Sequence, residues 1–514
     1  MMIHERLRRT LLCAILAAYG LVGGLYVVVT PAWQAPDEPA HYNYVRQLAA
    51  GDWPIMQMGD WDNAYLEELR SRQFPPTLAT PQRLDAIQYE DHQPPLYYLL
   101  AAGVYRLADG QLMALRAFSL LLGAGVVLCT YAIGRLLLPK RPGAALGAAA
   151  LTAMIPQHLA ILASVTNDAL AYLLVAVTLL VCIRYLSLPL RAPLVRWHIA
   201  IGLLVGLALV TKVTVYFLAA VAVLTLMLRP LVVLASRPAG KVASKAFSIA
   251  NALAQAIPKQ NRPEPMRSGM KRNLLGSARR VYMPALRRSA GDVARRAAVV
   301  LAIALAFGGL WWARNSAVYG FPDVMGLTQH DVVVVGQLRT AERVAQVGPA
   351  AYWQGALQTT YNSFWGQIGW MARPLPGWAY ERIGWLLVGA LAGLIYDGLW
   401  WARMKKRAPT PKQISIGLLL GLTGLAAMAA YVYYNFSFYQ VQGRYLFTAL
   451  IPFALLVGAG VDVWAQVLGR WLRQWRPALA PYTDYLTALL FLLTFGALNL
   501  WLLRFVVPTL APLG

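Results

Sequence analysis

Apolar stretches long enough to cross a bilayer recur along this chain, separated by polar segments of very unequal length. They run from Leu11 to Val29, Leu112 to Leu138, Gly143 to Leu162, Ala169 to Leu188, Trp197 to Val210 and Val213 to Leu228. Five more follow, Ala297 to Tyr319, Ile383 to Ala402, Ile414 to Tyr434, Tyr445 to Leu468 and Tyr485 to Val507. A hydrocarbon core of about 30 Å takes about 20 such residues in a helix. The pattern predicts an all-α polytopic membrane protein with about eleven transmembrane helices. Trp197 to Leu228 is the weakest part, because each of its halves is short for a span. Residues 1–468 read as one transmembrane module, and residues 469–514 as a C-terminal loop and a last span.

Composition agrees with this class. Hydrophobic residues make up 58% of the 514 and charged residues only 13%, about half the share of a soluble domain. Charge then sets an expected orientation. With Arg6, Arg8 and Arg9 on the cytoplasmic side, eleven crossings also place Lys140 and Arg141, Arg191 and Arg196, residues 229–296, Arg403 to Arg407, and Arg470, Arg473 and Arg476 inside. The two long segments left outside, 31–111 and 318–381, hold 15 of the 22 acidic residues and 8 of the 46 basic ones. A bacterial cytoplasmic membrane, with the N-terminus inside and a site facing outward, is the expected location.

The net charge of +24 does not point to nucleic acid, because the cations sit along one membrane face. Residues 229–296 carry 15 Lys or Arg against Glu264 and Asp292, in pieces separated by Pro238, Pro258, Pro263, Pro265 and Pro284. That composition suits a solvated topogenic loop or a basic helix on anionic membrane lipid, with Arg-Arg pairs at 279, 287 and 295 about two turns apart. Cys13, Cys129 and Cys182 fall inside spans, so no disulfide framework is expected. The basic, apolar N-terminus is read as a retained first helix. No P-loop marks an ATP-driven pump.

Chemistry should lie in the outer segments. Asp37 and Glu38 follow the first span directly, where ionisable groups are costly and tend to be functional. With Pro39 two positions on, Asp37 reads as a helix N-cap, one turn from His41 on the same face. Two roles compete for it: a plain cap, or a partly desolvated carboxylate that takes a proton from a hydroxyl. A second cluster, Glu90-Asp91-His92, leads through Pro94-Pro95-Leu96-Tyr97-Tyr98 into an apolar stretch too short to span, expected as an interfacial helix. If the fold joins the two clusters, a divalent cation is a candidate ligand of Asp37, Glu38, His41, Glu90, Asp91 and His92.

Arg116, Lys212, Arg314 and Arg444 fall at outer span ends, against the positive-inside trend. Each calls for an anionic partner, either a phosphate or a carboxylate of the 31–111 segment. The second outer segment, 318–381, is expected to cover the cavity. Its Phe364, Trp365 and Trp370 suit interface anchoring or stacking on sugar rings, and Val332 to Val335 suits a short strand or a lid.

Several motifs in order now carry a resemblance. An Asp-Glu pair after the first span, Pro-Pro-Leu-Tyr-Tyr, Thr166-Asn167-Asp168, Thr211-Lys212, Arg314-Asn315 with Tyr319-Gly320, and Gln442-Gly443-Arg444-Tyr445-Leu446-Phe447 resemble the GT-C membrane glycosyltransferases. The likeness is to their bacterial branch, which includes protein O-mannosyltransferase-like and aminoarabinose-transferase-like proteins. It implies a GT-C-like fold and an inverting transfer of a sugar from a polyprenyl-phosphate donor to an acceptor hydroxyl of a cell-envelope glycan, lipid or protein. Asp37 would be the general base, with Glu38 beside it. Lys212 and Arg444, with Arg314 or Arg116, would hold the lipid phosphate, and Asn167, Asp168, Gln442 and Tyr445 the substrate. No soluble insertion of the eukaryotic O-mannosyltransferases is present, so a protein acceptor is not implied. A lipid-linked oligosaccharide ligase or polymerase would need outward cations but no acidic base. A transporter or flippase would be expected to carry ionisable groups at mid-span.

Overall fold

The computed structural model describes residues 2–74, 87–189, 193–236, 264–404 and 409–511. Helices dominate them. The first outer part follows α1 (Met2–Val29) with α2 (Glu38–Ala50), α3 (Asn63–Ser71) and α4 (Leu96–Leu107). Next come α5 (Leu112–Leu137), α6 (Pro142–Met154), α7 (Pro156–Leu162), α8 (Asp168–Ser187), α9 (Val195–Leu209), α10 (Leu218–Ser236) and the long α11 (Glu264–Tyr319). The second outer part holds α12 (Leu327–Val333), α13 (Thr340–Val347) and α14 (Pro349–Trp365), with a two-residue hairpin of β1 (Gln367–Ile368) and β2 (Arg373–Pro374). Last are α15 (Gly377–Arg403), α16 (Pro411–Ser437), α17 (Leu450–Trp475) and α18 (Leu486–Phe505).

Every apolar segment read from the sequence coincides with a helix, and the chain is a multi-pass membrane protein. Among the described residues nine helices are long and apolar enough to span, ten if the bent pair α6 and α7 counts as one crossing. That pair bends by 60° at Ile155, before Pro156, whose ring and missing N–H break the helix ladder. Helix α9, with 15 residues, is the short half that the sequence left weakest. Residues 237–263 of the basic segment lie outside the described residues. Its later part is not a loop, because α11 runs unbroken from Glu264 into the span.

Without a hydrophobic drive between helices in lipid, packing rests on close approach of small residues. Helix α6, rich in alanine, is buried along its whole length and touches α1, α5, α17 and α18. Helices α15 and α17 cross where Gly393 and Gly460 face one another. A Cβ on Gly393 would lie 2.1 Å from the Gly460 carbonyl oxygen, so neither position accepts a side chain without separating the helices.

A second, smaller core forms from Trp33, Met56, Leu66, Leu69, Ile87 and Tyr89 together with Val333 and Val334 of the 318–381 segment. The two segments are also laced by polar bonds. Trp61 donates to the Val335 carbonyl at 2.6 Å and Gln329 to that of Met56 at 3.1 Å. Val332 to Val335 is therefore not a strand: Val332 and Val333 end α12, and Val333 and Val334 pack into this core while the side chains of Val332 and Val335 stay exposed. Trp365 is buried against Phe453 and Phe495, Phe364 lies against Phe447, and Trp370 stacks on Phe74. Trp365, at the end of α14, therefore serves packing rather than the membrane interface, while Phe364 and Trp370 are half-buried against their ring partners.

One buried ion pair ties the outer segment to the bundle. Glu38, 0% exposed, receives Arg116 of α5 through two bonds of 2.7 and 2.6 Å. The backbone N–H groups of Trp33 and Val165 complete its shell. Arg116 spends its remaining donors on the carbonyls of Val27, Thr30 and Pro31 that end α1. Geometry this complete offsets the desolvation of both ions, and losing one partner strands the other. Arg116→Met should cost about 3–5 kcal/mol, read as a lower thermal unfolding midpoint. Glu38→Leu combined with Arg116→Met should recover most of it, and failure to recover would show that the carbonyl contacts matter more than the pair.

Candidate functional site

Asp37 stands at the N-terminus of α2, yet its side chain makes no cap bond. Its backbone is left-handed, φ 65° and ψ −3°, a conformation that aspartate tolerates better than most residues and that recurs where function over-determines the backbone. The twist turns the carboxylate away from the helix. Oδ1 accepts from the Tyr89 hydroxyl at 2.8 Å and Oδ2 from Arg444 Nη2 at 2.5 Å. Of the two roles open to Asp37, the structure removes capping. Burial by itself raises this carboxyl, but the Arg444 charge and the two hydrogen bonds outweigh it and hold the group at about 2.

Arg444 comes from a 3₁₀ turn, Gly443–Ala449, that leads into α17. Its Nε donates to Gln442 Oε1 at 2.6 Å, and its guanidinium lies 5.1 Å from the centre of the Tyr445 ring. The turn is pressed against α14. Gly443 N–H donates to Ser363 Oγ at 2.7 Å, and a Cβ there would sit 2.2 Å from the Thr360 carbonyl oxygen. Glycine at 443 is what lets Arg444 reach Asp37.

The second cation, Lys212, sits in the hairpin after α9 and pairs with Asp168 at 2.7 Å. Asp168 opens α8. Leu96 N–H donates to the Val210 carbonyl at 2.8 Å, which docks the start of α4 on this hairpin. Between the cations, Tyr98 joins His41 Nδ1 at 2.9 Å and Asn167 Nδ2 at 3.1 Å. Asn167 Oδ1 is buried without a partner. His41 is held to about 3, first by burial and then by the Lys212 charge, so it is neutral at neutral pH.

The remaining residues divide. Glu90 keeps a partly exposed side chain with no hydrogen-bond or ion-pair partner among the described residues. Burial, then the charge of Asp37, pushes it up to about 8. Asp91 is fully buried, accepts from Gln47 at 2.8 Å, and is pushed by burial up to about 8. His92 points its Nδ1 at the Tyr89 carbonyl and packs on His330. Arg314 donates to the Pro54 carbonyl and to Asn315, and lies against the rings of Trp311 and Tyr319. Glu38 and Arg116 are closed on each other, and neither is available to a substrate. The sequence joined Asp37 with Lys212 and Arg444 but did not identify Tyr89, whose hydroxyl binds Asp37. Its place beside Glu90, two residues after an isoleucine, held no signal for that contact. Among the described residues no three His, Cys, Asp or Glu side chains converge as a metal-ligand set.

Residues 92–252 match the family described as dolichyl-phosphate-mannose-protein mannosyltransferase. The segment contains Pro-Pro-Leu-Tyr-Tyr, Thr166-Asn167-Asp168 and Thr211-Lys212, so the family resemblance is borne out over that part of the chain. No curated protein matches the sequence. Similar solved structures include ArnT from Cupriavidus metallidurans bound to undecaprenyl phosphate, at 14% identity over 97% of this chain and 73% of that one, with a TM-score of 0.44. Another is the Archaeoglobus fulgidus oligosaccharyltransferase tethered with an acceptor peptide, at 15% identity over 95% of this chain and 55% of that one, with a TM-score of 0.45.

Two measurements test the geometry. Gly443→Ala forces the Thr360 to Phe364 backbone to move, an overpacking cost of about 1–3 kcal/mol that lowers the thermal unfolding midpoint. A carboxyl raised by folding contributes stability below its unfolded value, about 4, and loses it as the pH rises toward about 8. Asp91→Asn should therefore flatten the decline of the unfolding midpoint across that window, and an unchanged slope would mean that Asp91 is ionised in the folded protein.

Proposed function

We propose that this chain is an inverting glycosyltransferase that moves a sugar from a polyprenyl-phosphate donor to an acceptor hydroxyl, at a site on the outer face of a bacterial cytoplasmic membrane. The observation that carries the reading is the Asp37 carboxylate: left-handed, released from capping, and held between Tyr89 and Arg444, in one electrostatic neighbourhood with Lys212. The family match over residues 92–252 supports the same class.

Both cations hold carboxylates in the resting site, Asp37 on Arg444 and Asp168 on Lys212. The donor's phosphate takes their place. That exchange has two effects. The phosphate gains two cations where negative charge grows during transfer, which is where stabilisation lowers the barrier. Asp37 loses the charge that holds it at about 2 and becomes more basic. The acceptor oxygen then attacks the anomeric carbon from the face opposite the phosphate. The carbon–oxygen bond to phosphate breaks with its electron pair on the phosphate oxygen, and the hydroxyl proton goes to the carboxylate. Neutral His41, Asn167, Gln442 and Tyr445 are left to hold sugar hydroxyls. Arg116 and Arg314 take no part, since each is committed to protein partners.

Undecaprenyl-phosphate sugars offered in nanodiscs with envelope acceptors, with and without chelator, test the reading. Asp37→Asn should lower transfer by about 10² to 10⁴ and retain binding of undecaprenyl phosphate, whereas Lys212→Met and Arg444→Met should weaken that binding. Unchanged transfer in Asp37→Asn removes the base and favours a lipid-linked oligosaccharide ligase. Movement of intact lipid-linked sugar without transfer favours a flippase.

A further inference from the structure

We propose that His158 is a positioning residue for Arg444: from the short helix α7 it fixes the turn that carries the arginine, and so the place where the guanidinium meets an anion. That this anion is the donor's phosphate rests on the glycosyltransferase reading above.

The reason starts in the sequence, at Pro156. An α-helix pairs each N–H with the carbonyl four residues earlier, and proline has no N–H to give. The Thr152 carbonyl is therefore left without its helical donor, inside a helix that is buried along its whole length. A buried carbonyl without a partner costs about as much as a lost hydrogen bond. His158, itself fully buried, supplies the missing donor: its Nδ1 lies 2.9 Å from the Thr152 oxygen. A carbonyl only accepts, so the ring proton is on Nδ1 and Nε2 is left with its lone pair, buried and unpartnered. The bond runs from α7 back to α6, across the 60° bend.

A ring held in this way has a fixed direction. It meets Phe447 edge-on, with centroids 5.2 Å apart at 80°, and lies 5.9 Å from the ring of Tyr172 in α8. These two rings also touch each other, 6.1 Å apart at 87°. Both lead to Arg444. Phe447 belongs to the same 3₁₀ turn, and the Tyr172 hydroxyl donates to the Arg444 carbonyl at 3.3 Å. Phe364 of α14 packs on Phe447 at 5.1 Å and closes the cluster.

Helix α7 supports the other end of the Asp37–Arg444 contact as well. Gln157 accepts from the Gln367 N–H at 2.7 Å, which docks the β1–β2 hairpin. Just past the end of α7, Val165 N–H donates to Glu38, the neighbour of Asp37. One short helix thus stands behind both partners, Arg444 through His158 and Asp37 through Val165 and Glu38. The histidine is needed for two contacts at once. Phenylalanine would keep a flat ring and lose the N–H, whereas asparagine would keep an N–H near the Nδ1 position and lose the ring.

The test measures binding of undecaprenyl phosphate to the full chain in nanodiscs, for wild type, His158→Phe, Arg444→Met and the two substitutions combined. Lys212 is retained throughout, so that the affinity of Arg444→Met stays measurable. His158→Phe should weaken binding about tenfold, within the coupling found between groups in contact, and should add nothing in the Arg444→Met background. Tyr172→Phe, which removes only the hydroxyl on the Arg444 carbonyl, should show the same dependence on the arginine. His198→Phe removes another buried histidine, bonded to Tyr185 at 3.2 Å, and should leave the affinity at the wild-type value. Unchanged affinity in folded His158→Phe overturns the inference, as does unchanged affinity in Tyr172→Phe where His158→Phe does not fold. An equal loss with and without Arg444 also overturns it, and so does a loss in His198→Phe as large as that in His158→Phe, because either means a general loosening of the bundle. Wild type without affinity for undecaprenyl phosphate, or an affinity indifferent to Arg444→Met, overturns the phosphate site of the glycosyltransferase reading, and the role of His158 with it.

Discussion

A single contact between Asp37 and Arg444, 407 residues apart in the chain, joins the two ends of the candidate site. It joins the turn after the first helix to the turn before α17, and everything between them is arranged so that it can form. The left-handed backbone at Asp37 aims the carboxylate, Gly443 lets the arginine come near, and the Glu38–Arg116 pair holds the first turn of α2 on the bundle. Charge in such a place is costly unless matched, and here Asp37, Glu38 and Asp168 each meet a cation.

The two adjacent acids therefore do different work because of what each meets. Glu38 is sealed and fully bonded, a structural anchor. Asp37 keeps 24% of its side-chain exposure and has only two partners, one of them a cation that an incoming phosphate would claim. The contrast leaves Glu38 committed to structure and Asp37 open to exchange of its partner. The same logic separates the cations: Arg314 is tied to a backbone carbonyl and Arg116 to three carbonyls and the sealed Glu38, whereas Lys212 and Arg444 each hold a carboxylate through one bond that a stronger anion can displace.

The outer segments are a layer rather than loose loops. Their own core, around Trp33, Leu69 and Val333, pins the second segment over the first and buries Tyr89. Reading Trp365 as an interface anchor failed for a physical reason: aromatic composition is the same for a membrane belt and for a buried cluster, and only the packing of the end of α14 against Phe453 of α17 and Phe495 of α18 decides which way its ring turns. Val332 to Val335 failed likewise, since short apolar runs do not discriminate strand from helix end.

Hydropathy along the chain was enough to place each of the membrane helices, because a bilayer demands an unbroken apolar helix and leaves its length in the sequence. The position of Lys212 and Arg444 at helix ends, against the charge pattern expected from the sequence, marked them in the same way. The 60° bend at Ile155 could be suspected from Pro156 but not measured. Which carboxylate faces which cation was decided only in three dimensions. Asp37 against Arg444, Glu38 against Arg116, Asp168 against Lys212 and Glu90 against none depend on backbone twist and helix contacts between distant parts of the chain, and a linear pattern of charges carries no record of either.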